Sequence, residues 1–167
     1  MATDTYLKID GVPGESADQD HKDWIELLGF DHKFSQPASA TESSAGGGTV
    51  GRVNMGNFSI TKYVDKATPK LSEYCCSGKH MPTMTIEMMR ASGDSRVKYM
   101  EVKLEDVIVA GVEHGRDEEA TDKFPTETVG FNFAKIKWTY TQQQRSDGSS
   151  GGQVTGGWDL SAHKSYA

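Results

Sequence analysis

The stretch Thr83–Leu104, TMTIEMMRASGDSRVKYMEVKL, decides the fold. Met84, Ile86 and Met88 alternate with Thr83, Thr85 and Glu87; further on, Met100, Val102 and Leu104 alternate with Glu101 and Lys103. A period of two belongs to strands with one buried face, and Ala91-Ser92-Gly93-Asp94-Ser95 between them has the composition of a hairpin connection. Working outward, strands are predicted at Tyr6–Ile9, Trp24–Phe34, Arg52–Val64, Asp106–Glu113, Thr126–Tyr140 and near Trp158–Leu160. About eight strands with turn signals between them indicate an all-β sandwich or barrel.

The run Thr126–Tyr140 favours a curved sheet. Its apolar residues sit at Val129, Phe131 and Phe133, then change parity to Ala134, Ile136, Trp138 and Tyr140. Such a change requires a bulge or corner, since otherwise half of those side chains face water. In Trp24–Phe34 the even positions Leu28, Phe30, His32 and Phe34 read as core, which turns Asp31 and Lys33 outward. One helix is predicted near 68–78, with Thr68 as N-cap, Pro69 in the first turn, Leu71, Tyr74 and Cys75 as the apolar stripe and Gly78 closing the end. Two polar stretches, near 36–51 and 142–157, bury too little apolar surface to order themselves and are predicted as long loops.

The 167 residues suit one domain, residues 1–167, able to bury about 70% of its unfolded surface without disulfides. A net charge of −6 argues against a broad nucleic-acid-binding face. No apolar run approaches the roughly 20 residues that cross a bilayer. The N-terminus lacks the pattern of a cleaved signal, so synthesis in the cytoplasm without a signal peptide is expected, and no membrane insertion. Cys75 and Cys76 are adjacent, which disfavours a disulfide, and with His80 they lack paired zinc-ligand spacing. Gly46–Gly51 matches GxGxxG, but no strand precedes it and no helix follows, so a flexible loop is the reading. There is no GxSxG elbow or HExxH pair. Strand carboxylates such as Glu101, Glu105 and Glu113 alternate with apolar residues like a solvated face, although a pair of acids acting as a hydrolase stays open. These residues assign no catalytic group, metal or cofactor and describe a β-barrel that binds something, with a glycan or peptide at its mouth or edge as one reading.

Several motifs in order are more specific. Asn57-Phe58-Ser59-Ile60-Thr61-Lys62-Tyr63-Val64-Asp65-Lys66-Ala67-Thr68-Pro69-Lys70-Leu71, then Ser77-Gly78-Lys79-His80, resembles the strand-to-helix signature of the haemolysin-coregulated protein (Hcp) family of type VI secretion systems. Tyr6-Leu7-Lys8-Ile9, Gly14-Glu15-Ser16, His21 and Trp24–Leu28 agree with it, as do Asn132-Phe133-Ala134-Lys135-Ile136 and Gly157-Trp158-Asp159. The resemblance implies a β-barrel with one short helix, a non-enzymatic subunit of hexameric rings stacked into a tube. It implies a contractile sheath that expels the tube from the cell, a spike protein at its tip and effector proteins in its lumen. The chain ends after its last predicted strand, so no fused toxin domain is expected. By the same likeness Asp31 and Lys33 face the lumen and cargo. Gln36, Ser39, Thr41, Glu42 and Arg52, in and beside the long loop, are expected to contact a neighbouring subunit or the next ring. The contrasting reading is a monomeric glycan- or peptide-binding module with a pocket lined by Trp24, Trp138 or Trp158.

Overall fold

The predicted hairpin forms the spine of the protein. A computed structural model describes residues 3–37, 51–92, 95–116, 119, 121, 124–144 and 150–166. β1 (Thr3–Ile9), β2 (Ile25–Leu27), β3 (Gly29–Ser35) and β4 (Asn54–Tyr63) precede α1 (Thr68–Ser77). β5 (His80–Ser92), β6 (Ser95–Gly115), β7 (Thr126–Asn132), β8 (Lys135–Gln143), β9 (Ser150–Asp159) and β10 (Lys164–Ser165) follow. β5 and β6 pair antiparallel from Ser92↔Ser95 to His80↔Ile108. Met84↔Leu104 and Ile86↔Val102 put four fully or nearly fully buried side chains on one face, as the alternation requires.

The predicted strands Val97–Leu104 and Asp106–Glu113 are one strand of 21 residues with a phase change inside it. Val102 and Leu104 are buried, and then Val107 and Val109 are, so one residue too many separates the two pairs. Asp106 takes up the difference with φ 54°, in the left-handed region. The neighbours change phase at the same level: Met84 to Met81 in β5, and Phe131 and Phe133 to Ile136 across the break between β7 and β8. Residues flanking the break keep one register, Glu105↔Lys135 on one side and Ile108↔Asn132 on the other. Ala134 N–H donates to the Glu105 carbonyl at 3.1 Å and anchors the corner. The parity change in Thr126–Tyr140 therefore marks a crease running across three strands.

That crease divides the work of β6. Its first half pairs with β8 in the path β10-β9-β8-β6-β5-β1-β2, and its second half pairs with β7, then β4, then β3. The covalent chain closes the circuit, because β2 runs through Leu28 into β3 and Leu28 N–H donates to the Thr61 carbonyl at 2.8 Å. The result is barrel-like, without a hydrogen-bonded ladder between β2 and β3. Leu7, Ile25, Phe58, Ile60, Leu104, Phe131 and Ile136 form its interior.

Three expectations need correction. The stretch 142–157 is not one loop: Ser150–Gly157 belongs to β9, paired with β8 from Lys135↔Asp159 to Gln143↔Ser150, while 145–149 lie outside the described residues. Nearly all of Ser150–Gly156 is exposed, so this strand rests on backbone pairing and carries no burial alternation to read. Trp24–Phe34 is not one core strand, since it breaks at Leu28, and Leu28, Phe30 and Phe34 are about half exposed. Phe30 and His32 do point inward, opposite Ile60 and Phe58, but among the described residues β3 pairs only with β4 and its other flank is open. The helix has the expected extent, yet Ala67 is its N-cap residue and makes no side-chain cap bond. Thr68 Oγ1 instead accepts from the Asp65 amide at 3.1 Å. Gly78, at φ 66°, donates its N–H to the Tyr74 carbonyl and ends the helix as predicted. Cys75 packs against the core and Cys76 is exposed, both free thiols.

Candidate interaction surface

The four strands β3, β4, β7 and the second half of β6 present two contrasting faces. Inward, His32, Phe58, Phe131 and Val109 stand in one row; outward, Asp31, Ser59, Gly130 and Gly111 form the adjacent row. A further outward row carries Gly29, Thr61, Thr128 and Glu113. Beside these rows Asn132 Nδ2 donates to Asn57 Oδ1 at 3.3 Å. Small and polar side chains make this face flat, with no large apolar group in either row.

Both flanks of that sheet are open among the described residues. β3 pairs with β4 alone, and β6 beyond Ile108 pairs with β7 alone, because the β5 ladder stops at His80↔Ile108. Unpaired backbone N–H and C=O groups along such flanks are a template for another strand. Leu28, Phe30 and Phe34 add half-exposed apolar side chains along the β3 flank.

Asp31 and Lys33 are exposed and on the outward side, as the period-two reading places them. Lys33 falls in the irregularity between His32 and Phe34, where the register against β4 shifts by one. Gln36 and Arg52 come together at the stem of the long loop. There Gly51 N–H donates to the Pro37 carbonyl at 3.1 Å, and Gln36 Nε2 donates to the Gly51 carbonyl. Ser39, Thr41 and Glu42 lie outside the described residues.

Next to that stem an open groove of about 450 Å³ is lined by Phe34, Val53, Met55, Trp138 and Trp158. Phe34 and Trp138 meet with ring centroids 5.5 Å apart, so two of the three tryptophans considered for a binding pocket share the groove. Trp24 stands elsewhere, edge-on to His21. Behind Phe34, His32 is surrounded by Phe34, Phe58 and Phe133 at 5.0, 5.2 and 5.7 Å. Burial holds the His32 pKa below the usual histidine value, against weaker opposing pulls from a hydrogen bond to the Gly56 backbone and the charge of Asp31.

Two polar clusters tie the strands together, the first within this sheet and the second across β1, β5 and the start of β6, and the sequence pattern does not announce their partners. Lys62 is fully buried, with Nζ 2.6 Å from Glu127 Oε1, 2.7 Å from Asp65 Oδ1 and 2.9 Å from the Tyr63 carbonyl. Thr68 Oγ1 donates to Glu127 Oε1 at 2.8 Å, so the end of β4, the start of α1 and β7 are tied together. In the second cluster His21 stacks on Tyr6 at 4.3 Å and places Nδ1 and Nε2 each 2.8 Å from a carboxylate, Asp18 and Glu87. Arg96 bonds Asp18, Asp4 and the Tyr6 hydroxyl, and Lys98 bonds Glu87 and Glu101. The hydrogen bond from His21, helped by Arg96, lowers the Asp18 pKa despite partial burial. Burial alone would raise Glu87, but His21 and Lys98 outweigh it and lower that pKa too. Among the described residues no three His, Cys, Asp or Glu side chains converge on a metal position.

A family model described as the type VI secretion system effector Hcp matches residues 6–140. The chain belongs to the Hcp family. Protein hcp1 of Pseudomonas aeruginosa is 38% identical to it over 160 residues, which cover 96% of each chain. A solved type six secretion system protein superposes with a TM-score of 0.90 at 32% identity, covering 99% of this chain and all of that one. Hcp1 from Salmonella typhimurium gives 0.80 at 33% identity, with the same coverage. Family and fold expectations from the ordered motifs thus hold: this is a mainly β Hcp protein of type VI secretion, a structural and exported family.

Proposed function

We propose that this Hcp protein is a subunit of the inner tube, forming hexameric rings that stack and are expelled by a contractile sheath with effector proteins in the lumen. The observation carrying this reading is the sheet of β3, β4, β7 and the second half of β6, open at both flanks and polar on its outward face. Joining the β3 flank of one copy to the β6 flank of the next makes a heterologous contact, and repeated rotation closes a ring without leaving a free edge. The flat outward face then turns to the lumen with Asp31 and Lys33 in it. Small polar groups there let cargo sit without a hydrophobic trap. The Gln36–Arg52 stem carries the loop that contains Ser39, Thr41 and Glu42 to an adjacent subunit or ring. A spike protein at the tip completes the assembly, and no step of this role calls for catalysis.

Light scattering on the purified protein, with negative-stain images of the same fractions, tests the reading. A sixfold mass with open rings is expected; a stable single-subunit mass at high concentration overturns it. The Trp138–Trp158 groove is the one feature that favours a monomeric peptide- or glycan-binding module, and the single-subunit mass is what that alternative requires.

A further inference from the structure

His32 sits on the strand whose open flank the ring reading uses, and its surroundings give that flank a chemistry of its own. Its Nε2 is buried and has no hydrogen-bond partner among the described residues. From β4 it faces the Phe58 ring and the Gly56 backbone, and from the corner between β7 and β8 the Phe133 ring. The charge that acts on the ring is that of Asp31, and both Asp31 and Lys33 stand exposed on the opposite side of the strand. The imidazole therefore fits as a neutral ring, with an apolar wall where a second N–H would need an acceptor.

We propose that protonation of His32 opens the β3 edge, so that rings of this protein come apart as the pH falls below the ordinary histidine range. This extends the tube-subunit reading and rests on it for its consequence. A charged ring buried against three phenyl groups is unfavourable unless water reaches it. Among the described residues β3 is held by one ladder, and its irregularity lies beside His32, so peeling this strand breaks fewer bonds than exposing an interior strand. The folded, closed edge binds fewer protons than the open one. Its stability is accordingly complete above the free histidine value of about 6.5 and declines as the pH falls from there toward the depressed value of the closed edge. One such edge per subunit makes ring dissociation steep, with uptake of up to about six protons per ring.

The test follows ring mass by light scattering from about pH 7.5 to about pH 5 while nuclear magnetic resonance follows the His32 ring in the same buffers. The wild-type mass should fall from ring to subunit with a midpoint that tracks the His32 titration. His32→Phe keeps an aromatic ring but cannot titrate, and should hold its ring mass across the range; His32→Gln serves if that variant does not fold. A wild-type ring that stays intact with His32 protonated, or a non-titrating variant that dissociates as wild type does, overturns the proposal. If the protein is a single subunit throughout, the ring reading fails separately. Amide exchange in β3 then decides: protection lost on acidification, after correction for intrinsic rates, supports edge opening, and unchanged protection refutes it.

Discussion

Replacing Lys62 by Met removes the cation from a site that water does not reach. Lys62 and Glu127 side chains are both 0% exposed, and Nζ approaches two carboxylates within 2.7 Å. Solvent screening, which reduces surface pairs to well under 1 kcal/mol, is therefore absent. Glu127 would keep the Thr68 hydroxyl as a donor and the half-exposed His114 ring 3.0 Å from its Oε2, but lose its lysine partner, and Asp65 would lose the same cation. Breaking one side of a buried pair costs about 3–5 kcal/mol, a large share of the roughly 5–15 kcal/mol that holds a domain together. For a chain of this length that corresponds to a fall in Tm of roughly 6–20 °C. Lys62→Met paired with Glu127→Leu should recover at least half of the loss, because it removes the stranded charge along with its partner. Urea unfolding followed by circular dichroism, at a protein concentration where the oligomeric state is known and constant, measures both variants. A single substitution costing less than about 1 kcal/mol, or a double substitution as damaging as the sum of the two singles, would refute the reasoning.

Asp18 and Glu87 both have depressed pKa values, so the stability they supply is present above the ordinary carboxylate range and is lost as the pH falls through their folded values. The urea midpoint should drop below about pH 4, and Asp18→Asn or Glu87→Gln should flatten that acid limb while lowering stability at neutral pH. At Gly157 a Cβ would overlap the Tyr166 backbone carbonyl and crowd that of Ile136. Gly157→Ala should therefore detach β10, read as lost exchange protection at the Tyr166 amide, which donates to the Gly157 carbonyl, with the interior strands still protected. Phe30→Glu places a charge on the β3 flank where the side chain is already 45% exposed. The subunit should stay folded by circular dichroism, losing about 1–3 kcal/mol from the half-buried ring and its stacking on Phe58, while its sixfold mass is lost.

What the sequence shows follows burial. β5 and β6 are legible because Met84, Ile86, Val102 and Leu104 must all hide on one side. The break between β7 and β8 is legible for the same reason, since Phe131 and Ile136 cannot both be buried without a corner. The helix end shows itself through Gly78, whose left-handed backbone few other residues adopt. β9 leaves no such trace, because Gln153, Val154 and Thr155 are all exposed and are held by main-chain pairing with β8, with one side-chain bond from Gln153 to Thr141. β3 misleads in degree and not in direction: its even residues do face inward, but with one flank open among the described residues they are only partly covered. The partners of Lys62 and His21 are invisible for another reason. Glu127 and Glu87 reach them from distant strands, and a lone glutamate in a strand looks the same whether it meets a buried cation or water.

The crease at Asp106 constrains how this gene can change length. Two residues on β6 face two residues on the opposing chain between Glu105↔Lys135 and Ile108↔Asn132, so the register is the same on either side. Deleting one codon from either partner would offset half the ladder by one residue and turn that half inside out. A codon lost from one strand is tolerable only if its counterpart is lost as well. Descendants of this sequence should therefore vary in length at their loops and remain fixed in length around this crease in β6 and across the β7–β8 corner opposite it, however far their side chains diverge.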